Sequence, residues 1–285
     1  LGMDKSRVTV ITHDLVSPFT DYTKARFGKI DYILNIAANS HVNRSIDFPG
    51  EFVVNNTLLA YNLLELAREI KPKLFLQFST DEVYGAAPSG INNKEWSPIV
   101  PSNPYSASKA CQEAIAISYW RTYNVPVIIT NTMNLFGETQ DPEKYIAQLI
   151  SKLYKEETIT VHGSEKLIGS RFYLHARNAA SAVLHIISNT TPSLYNEGET
   201  PLPDRYNIVG DVEIDNLQMA KIIANIMQKE LKYTLVEFHK GRPGHDARYA
   251  LDGEKLRKTG WESPMSFEDS IKNYVAWTLK NPEWL

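Results

Sequence analysis

Several features are scarce in this chain of 285 residues, and each scarcity excludes a class of protein. The one cysteine, Cys111, cannot form an intramolecular disulfide, which favours a reducing compartment. The formal net charge is only −3 and like charges form no long run, so we predict no binding to nucleic acid or membrane surfaces. No apolar run approaches the roughly 20 residues that a membrane span needs, and no charged-then-apolar signal segment opens the chain. These absences favour a cytoplasmic protein.

Residues that bind metals form no pattern either. The seven histidines are scattered, and no cluster of histidine and cysteine has ligand spacing, so the sequence predicts no metal site. We interpret His41 and His175 as hydrogen-bonded residues rather than metal ligands. The chain does contain 43% hydrophobic residues, which is enough for one large domain or two modest ones.

Short apolar runs alternate with stretches of helical period in the first half of the chain. Four runs rich in Val, Ile, Leu and Phe are typical of strands covered on both faces: Val8–Thr12, Tyr32–Ala37, Leu74–Phe78 and Val125–Thr130. Between them, Phe52–Ile70 and Tyr105–Tyr123 are predicted as amphipathic helices, and Pro104 suits the first turn of the second. The alternation predicts an α/β fold, a doubly wound parallel sheet with helices on both faces.

The pattern loosens beyond Gly137. Helices are predicted at Tyr145–Tyr154, Asn178–Ile187 and Leu217–Gln228, with short extended pieces at Thr158–His162 and Arg205–Val209. We therefore divide the chain into a sheet domain, residues 1–137, and a smaller α/β lobe, residues 138–285, with some segments returning to the sheet.

Polar residues follow each predicted strand of the first half. The clusters are His13-Asp14, Asn39-Ser40-His41, Ser79-Thr80-Asp81-Glu82 and Asn131 to Asn134. In an open parallel sheet, ligands bind outside the carboxyl ends of the strands. The four clusters together predict one polar cleft along that edge, although any one of them alone could be a solvated loop.

Tyr105 and Lys109 lie four residues apart, so a helix places both side chains on one face. A free phenol has a pKa near 10, and a nearby ammonium group favours the phenolate, which brings the tyrosine toward the range of a general base. The pair alone is common by chance. Its position after Pro104, with Ser79 and Thr80 at the end of the preceding strand, favours a catalytic site.

Two segments now indicate a family. Ser79-Thr80-Asp81-Glu82-Val83-Tyr84-Gly85 and Pro104-Tyr105-Ser106-Ala107-Ser108-Lys109 resemble the catalytic segments of the dTDP-glucose 4,6-dehydratases, in the extended short-chain dehydrogenase/reductase class. Further resemblances lie in 37–45, 134–137, 142–144 and 242–249, so the similarity covers nearly the whole chain. Near Arg171 the family usually has Arg-Asp-Trp, whereas this chain reads Gly169-Ser170-Arg171-Phe172.

The resemblance implies a Rossmann-like fold with NAD as cofactor and dehydration of a nucleotide-activated hexose. It implies Glu82 as the base at C5, Asp81 as the acid at the C6 hydroxyl, Thr80 and Tyr105 at the C4 hydroxyl, and Lys109 beside them. Because two carboxyl groups in different environments can serve as base and acid, Asp81-Glu82 disfavours a nucleotide-sugar 4-epimerase, the alternative enzyme. The cofactor residues implied, besides Tyr105 and Lys109, are Asp14, Leu15, Ala37, Ala38, Ser40 and Asn56.

The resemblance also implies a substrate site and an assembly. The implied substrate residues are His41, Arg44, Asn134, Lys144, Arg171, Arg242 and His245, and the guanidinium groups among them suit phosphate geometry. The helices predicted at Phe52–Ile70 and Tyr105–Tyr123 would pack against a second copy of the chain, giving a homodimer. The nucleotide base and the sugar stay open.

One expected feature is missing from the sequence. A dinucleotide-binding fold opens with a strand, a tight Gly-rich turn and a helix, and this chain has no such turn before Val8–Thr12. By resemblance that segment is the third strand of the fold, so the first strand-helix-strand unit is absent and the sheet would have a gap. Three explanations stand: a fragment, which we favour, a non-catalytic nucleotide-sugar-binding protein, or a second polypeptide that supplies the missing strands.

Overall fold

Helices and strands alternate along most of the chain in the computed structural model, which describes residues 4–237, 244 and 246–285. Its helices are α1 (Asp21–Ala25), α2 (Val42–Asp47), α3 (Pro49–Ile70), α4 (Pro104–Tyr123), α5 (Tyr145–Tyr154), α6 (Ala176–Asn189), α7 (Asn216–Met227), α8 (Glu254–Lys258) and α9 (Phe267–Lys280). Its strands are β1 (Tyr32–Asn35), β2 (Leu74–Thr80), β3 (Val127–Thr132), β4 (Leu135–Phe136), β5 (Ile159–Ser164), β6 (Leu167–Ile168), β7 (Ser170–Phe172), β8 (Leu174–His175), β9 (Asp204–Ile208), β10 (Glu213–Asp215) and β11 (Tyr233–Val236).

The main sheet has four parallel strands in the order β1-β2-β3-β9. Successive side chains of a strand point to opposite faces, and here both faces are covered. Leu76 and Ile128 pack with α6 and α8 on one face, whereas Phe75 and Ile129 pack with α3 and α4 on the other. This arrangement confirms the predicted α/β class with a doubly wound parallel sheet, and it explains why these strands read as continuous apolar runs.

The strand predicted at Val8–Thr12 is wrong. These residues have no assigned secondary structure, and Val10 is 80% exposed. A strand forms only where a neighbour satisfies its backbone groups, and within the described residues no sheet includes this segment. An apolar run indicates that a segment tends to be buried. Whether the segment forms a β-strand depends on a neighbouring strand that hydrogen-bonds to its backbone.

The second half of the chain builds a separate core and also returns to the main sheet. Helices α5, α7 and α9 pack around Ile150, Ile223 and Ile271, beside a three-stranded sheet in the order β11-β5-β6. Strand β9 pairs with β3 in the main sheet. Helix α5 has the bounds that its periodicity predicts, and the division at residue 137 stays a prediction.

The carboxyl ends of β2 and β3 define the edge where polar residues collect. Thr80 ends β2, and its neighbour across the pair, Thr132, ends β3. Helix α4 packs against α3 and begins beside this edge. None of the helices formed by the described residues is both long and apolar enough to cross a membrane.

Candidate active site

A cleft of about 450 Å³ lies at the carboxyl ends of β2 and β3. That volume is within the range of ligand-binding clefts. The predicted site residues that line it are Ala38, Ser40, His41, Thr80, Asp81, Glu82, Tyr105, Lys109, Asn134, Lys144 and Arg171. The structure therefore brings together residues from both halves of the chain, and three of the four polar clusters predicted at strand ends contribute to the cleft. The cluster His13-Asp14 does not line it, because the segment before it forms no strand of the sheet.

The centre of the cleft is a tight turn that follows β2. Residues Asp81–Tyr84 form a single 3₁₀ turn, and the hydroxyl of Thr80 accepts from the backbone N–H of Glu82 at 3.3 Å and donates to Asp81 Oδ1 at 2.9 Å. Gly85 closes the turn at φ +70°, where a Cβ would lie 2.3 Å from the carbonyl oxygen of Val100. Only glycine fits at this position, so the chain can turn tightly directly after Asp81 and Glu82. Both carboxyl side chains line the cleft.

Asp81 and Glu82 are both buried, and each has a raised pKa. Burial, followed by the charge of Glu82, raises the pKa of Asp81 to about 7. Burial also raises the pKa of Glu82, opposed by a hydrogen bond from Asn103 and by the positive charges of Arg171 and Lys144. The two carboxyl groups therefore occupy different environments, as a general acid and a general base require.

Tyr105 stands in the first turn of α4, next to the carboxyl pair. Asn103 caps this helix, Pro104 occupies its first position, and the backbone N–H of Tyr105 donates to Ser45 Oγ at 3.2 Å. Burial and the charges of Glu82 and Asp81 raise the pKa of the Tyr105 phenol, while a hydrogen bond with Thr80 lowers it. The expected lowering by Lys109 is wrong for this structure, because the nearby carboxylates disfavour the phenolate and Lys109 has other partners.

Lys109 is buried one helical turn from Tyr105. Its ammonium group donates to the carbonyl oxygen of Phe78 and to Gln112 Oε1, both at 2.6 Å. Burial lowers its pKa to about 8, opposed by the charge of Glu113. The lysine is thus close to the cleft but held by the sheet edge and its own helix.

Several polar atoms of the cleft wall lack partners. Among the described residues, the buried atoms Ser79 Oγ, Asp81 Oδ2, Thr132 Oγ1 and Asn134 Oδ1 accept and donate no hydrogen bond. Buried polar atoms in folded proteins are normally hydrogen-bonded. Their convergence on one cleft indicates a site shaped for a polar ligand.

Two basic residues, Lys144 and Arg171, form a basic wall of the cleft. Lys144 donates to the carbonyl oxygen of Ser40 at 3.2 Å. Arg171 donates to the backbone carbonyls of Ser170, Ala247 and Asp246, and its guanidinium lies 4.3 Å from the ring centroid of Tyr249. The arginine therefore anchors the segment that follows residue 245 while it places a positive charge beside the carboxyl pair.

His41 caps α2 at the mouth of the cleft. Its Nδ1 accepts from the backbone N–H of Arg44 at 3.1 Å, and its Nε2 lies 2.5 Å from Glu143 Oε2. The ring is therefore oriented by both of its nitrogens. This agrees with the interpretation of His41 as a hydrogen-bonded residue that also faces the cleft.

Other predicted site residues do not line this cleft, and their roles stay predictions. Asn56 is fully buried. Its side-chain amide accepts a hydrogen bond from the backbone N–H of Asn39 and donates to the carbonyl oxygen of Asn39 and to the hydroxyl of Ser108. Arg44 pairs with Glu51 on the surface. The remaining residues away from the cleft lining are Asp14, Leu15 and Ala37. Arg242 and His245 lie outside the described residues.

Several residues of the lining have no sequence signal. Tyr145, His162, Tyr173 and Asn216 come from the second half of the chain and carry no motif. Each lies near the end of a helix or strand, so only the packing of the second core against the sheet brings them to the cleft. Ser79, Glu143 and Tyr249, by contrast, stand inside segments that already showed the family resemblance.

Comparison with protein families and curated proteins gives a consistent result. The sequence profile of the GDP-mannose 4,6 dehydratase family matches residues 4–274. The dTDP-glucose 4,6-dehydratase 1 of Escherichia coli is 34% identical over 279 residues, which cover 90% of this chain and 74% of that protein. The low-salt glycan biosynthesis protein Agl12 of Haloferax volcanii is 37% identical over 254 residues, covering 89% of this chain and 77% of that protein.

Solved structures with the same fold include enzymes of two kinds. A dTDP-glucose 4,6-dehydratase from Streptomyces venezuelae, solved with NAD bound, superposes with a TM-score of 0.83 at 29% identity, covering 95% of this chain and 80% of that one. A UDP-glucose 4-epimerase from Thermus thermophilus, also in complex with NAD, gives a TM-score of 0.78 at 23% identity, covering 89% and 79%. The second likeness shows the shared fold alone.

Proposed function

This chain belongs to the GDP-mannose 4,6-dehydratase family, and from that premise we propose that it dehydrates a nucleotide-activated hexose of the dTDP-glucose type, with NAD as cofactor. The product is the 4-keto-6-deoxy sugar, and the enzyme class is hydro-lyase. The observation that carries the proposal is the pair of buried carboxyl groups, Asp81 and Glu82, beside Tyr105 in one cleft.

The carboxyl pair supports loss of water across C5 and C6 of a 4-keto sugar. We assign Glu82 as the base that takes the C5 proton, and the electrons of that C–H bond form the C5–C6 double bond as the C6–O bond breaks. Asp81 gives its proton to the departing oxygen, which leaves as water. With a pKa of about 7, Asp81 keeps a proton in a large fraction of molecules at neutral pH. An epimerase needs neither group.

Thr80 and Tyr105 are assigned to the C4 hydroxyl. The Thr80 hydroxyl orients it, and the Tyr105 phenolate takes its proton when the sugar is oxidised. Burial, followed by the negative charges of Glu82 and Asp81, raises the pKa of Tyr105, so a protonated, neutral Asp81 removes one of these effects and makes the phenolate easier to form. One protonation state of Asp81 therefore favours both steps.

The cleft fits the nicotinamide half of NAD. When bound, NAD supplies the hydride acceptor for C4 and the hydride donor for C6. Ala38 and Ser40 present small side chains on the cleft wall, and Tyr105 and Lys109 present a hydroxyl and an ammonium group suited to ribose hydroxyls. The unpartnered Ser79 hydroxyl lies on the same lining.

Substrate binding is assigned to the basic wall and its neighbours. Lys144 and Arg171 supply positive charge for the diphosphate, and Asn134 and His41 supply polar groups on the same lining. We also keep Arg242 and His245 as substrate residues, and this assignment rests on their sequence motif.

The proposal is tested by mass spectrometry of dTDP-glucose, UDP-glucose and GDP-mannose after incubation with the protein and NAD. We expect one sugar nucleotide to lose one water with wild-type protein. The Glu82→Gln variant should oxidise the sugar at C4 but release little or no water. Conversion to the C4 epimer without loss of water, measured from the NMR spectrum of the recovered sugar nucleotide because epimers have equal mass, would establish an epimerase instead. Binding without any reaction would establish a binding protein.

We further propose a homodimer formed through α3 and α4. Val54, Leu58 and Tyr61 form an exposed stripe at helical spacing on α3, and Cys111 is exposed on α4, which packs against α3. Leu58→Glu should convert the protein to monomers in sedimentation velocity. Leu184→Glu, at an exposed leucine on α6, is the matched control and should leave the assembly unchanged. Wild-type protein that sediments as a monomer would exclude the dimer.

A cytoplasmic location is also proposed, and it rests on the single cysteine of the sequence. Cell fractionation with antibody detection tests it. Recovery of the protein outside the cytoplasm would exclude that location.

A further inference from the structure

Asn103, the capping residue of α4, makes three side-chain hydrogen bonds next to the carboxyl pair. Its Oδ1 accepts from the backbone N–H of Ser106 at 2.9 Å. Its Nδ2 donates to Glu82 Oε2 at 3.1 Å and to the carbonyl oxygen of Gly244 at 3.2 Å. The residue is only 6% exposed, so these bonds form away from bulk water.

The helix cap fixes which end of the amide meets the carboxylate. Asn103 and Ser106 form a reciprocal capping box, which commits Oδ1 to the helix. The donor end, Nδ2, then faces Glu82. Because the same cap begins the helix that carries Tyr105, one residue sets the start of that helix and supports the carboxylate.

Gly244 and Asp246 lie close to Asn103 and to its neighbour Ser102. Gly244 has φ +76°, and a Cβ there would lie 2.7 Å from the carbonyl oxygen of Ser102 and 3.2 Å from Asn103 Cβ. Ser102 Oγ also donates to Asp246 Oδ2 at 2.5 Å. Only glycine permits this approach. In the sequence, Gly244 stands between Arg242 and His245, the residues assigned to the substrate by their motif.

We propose that Asn103 is a positioning residue, which holds the Glu82 carboxylate for proton abstraction at C5 and makes that position depend on the contact with Gly244. The inference rests on the proposed dehydration and adds to it a link between the substrate segment and the base. Asn103 itself touches no reacting atom.

Several charged and titratable groups face Glu82 from the surrounding elements. They are Asp81 in the same turn, Tyr105 on α4, Lys144 before α5, Arg171 on β7, and Asp246 and Tyr249 beyond Gly244. The Asn103 hydrogen bond lowers the pKa of Glu82 against the effect of burial. Loss of this donor should therefore raise the pKa of Glu82, so that the base becomes protonated at a higher pH.

Asn103→Ser is the informative variant, since serine keeps a capping oxygen and lacks the Nδ2 donor. Asn103→Asp keeps the cap and the size but sets a second carboxylate against Glu82. Both would be compared with wild-type protein, using dTDP-glucose and NAD across pH. The measurements are absorbance of reduced cofactor in a single turnover, water loss by mass spectrometry, and deuterium uptake at C5 from D₂O.

We expect kcat for water loss to fall about tenfold to a hundredfold in Asn103→Ser, the cost of a hydrogen bond to a charged group, with KM little changed. Reduced cofactor should accumulate, C5 exchange should slow, and the acidic limb of the pH profile should move to higher pH. Asn103→Asp should show a larger shift in the same direction. Gly244→Ala, with Asn103 intact, should move the same limb and also raise KM.

Two results would overturn the inference. The first is an unchanged acidic limb and unchanged C5 exchange in Asn103→Ser. The second is a parallel loss of C4 oxidation, water loss and thermal stability, which indicates a purely structural cap. Wild-type protein that neither reduces NAD nor releases water would overturn the proposed function, and this inference with it. If the wild type releases water and only the changes expected in the Asn103 variants are not observed, the proposed function stands and the role of Asn103 is overturned.

Discussion

The buried ion pair between Glu113 and Arg205 gives a sharp test of how the floor of the cleft is held. Both side chains have no exposure, and Arg205 Nη2 donates to Glu113 Oε2 at 2.8 Å. Asn131 donates from one amide group to Glu113 Oε1 at 2.8 Å and to the carbonyl oxygen of Thr80 at 3.0 Å. Asn131 therefore links the ion pair to Thr80, the residue directly before the turn that carries Asp81 and Glu82.

Glu113→Gln preserves the size of the side chain and removes its charge, so it isolates the electrostatic part of the interaction. Removing one partner of a buried pair costs about 3–5 kcal/mol, because the other charge stays buried without compensation. Without Glu113, Arg205 would keep a hydrogen bond from Nη1 to the Tyr84 hydroxyl at 3.1 Å and its position 4.2 Å from the Trp96 ring centroid, and neither partner carries a negative charge. The total stability of a domain is about 5–15 kcal/mol, so the expected loss is a large share of it.

The assay is urea denaturation of the wild type, Glu113→Gln and the double variant Glu113→Met with Arg205→Met. We expect the double variant to be more stable than Glu113→Gln, because replacement of both charges by apolar groups leaves none buried alone. The control is Glu156→Gln, which breaks a 2.6 Å ion pair with Lys229 whose side chains are 67% and 38% exposed, and which should change stability little. A loss in Glu113→Gln no larger than that of the control would refute the reasoning.

Three further outcomes follow from the site. In Asp81→Asn, kcat should fall by about 10²–10⁴-fold with loss of the alkaline limb near pH 7. Because burial raises the pKa of Asp81 from 3.8 to about 7, the wild type should lose stability as pH rises from about 3.8 to about 7 and lose little more above that range. The melting temperature of the variant should therefore rise relative to that of the wild type across this range, and a difference that does not change with pH would contradict the burial of a neutral Asp81. Gly85→Ala should lower stability and kcat, because its Cβ would lie 2.3 Å from the carbonyl oxygen of Val100. The control is Gly90→Ala, at φ +75° with no atom within 4 Å, which should leave kcat unchanged. Equal kcat values for the two variants, measured at a temperature where both are folded, would contradict this. In Arg171→Lys, the lysine cannot reproduce the three hydrogen bonds that the guanidinium donates to backbone carbonyls. KM should therefore rise about tenfold in steady-state kinetics while the protein stays folded. An unchanged KM would exclude Arg171 from the substrate site.

Much of the candidate active site was predictable because its central residues are close together in the sequence. Thr80, Asp81 and Glu82 end one strand, and Tyr105 and Lys109 share one helical face, so local periodicity and motif fixed their relation before any tertiary contact was known. The pKa of Tyr105 was predicted in the wrong direction. Its environment depends on carboxylates from another segment and on where the Lys109 ammonium finds its partners.

Contacts between distant segments were not predictable in the same way. Nothing in the sequence distinguishes Asn103 from any other helix cap, because its partners Glu82 and Gly244 lie 21 and 141 residues away. Tyr173 and Asn216 reach the cleft only through the packing of the second core. Val8–Thr12 has the composition of a strand and does not form one in the described structure.

The sequence by itself determined the α/β class, the edge of the sheet where polar residues collect, and the turn and helix whose residues form the candidate active site. These depend on periods of two and 3.6 residues and on motifs within about a dozen positions, which local geometry sets. The tertiary structure decided which strands pair, which residues of the second half line the cleft, and how burial shifts the pKa values of Asp81, Glu82 and Lys109. Those properties depend on contacts between segments far apart in the chain, and on the exclusion of water that only those contacts produce.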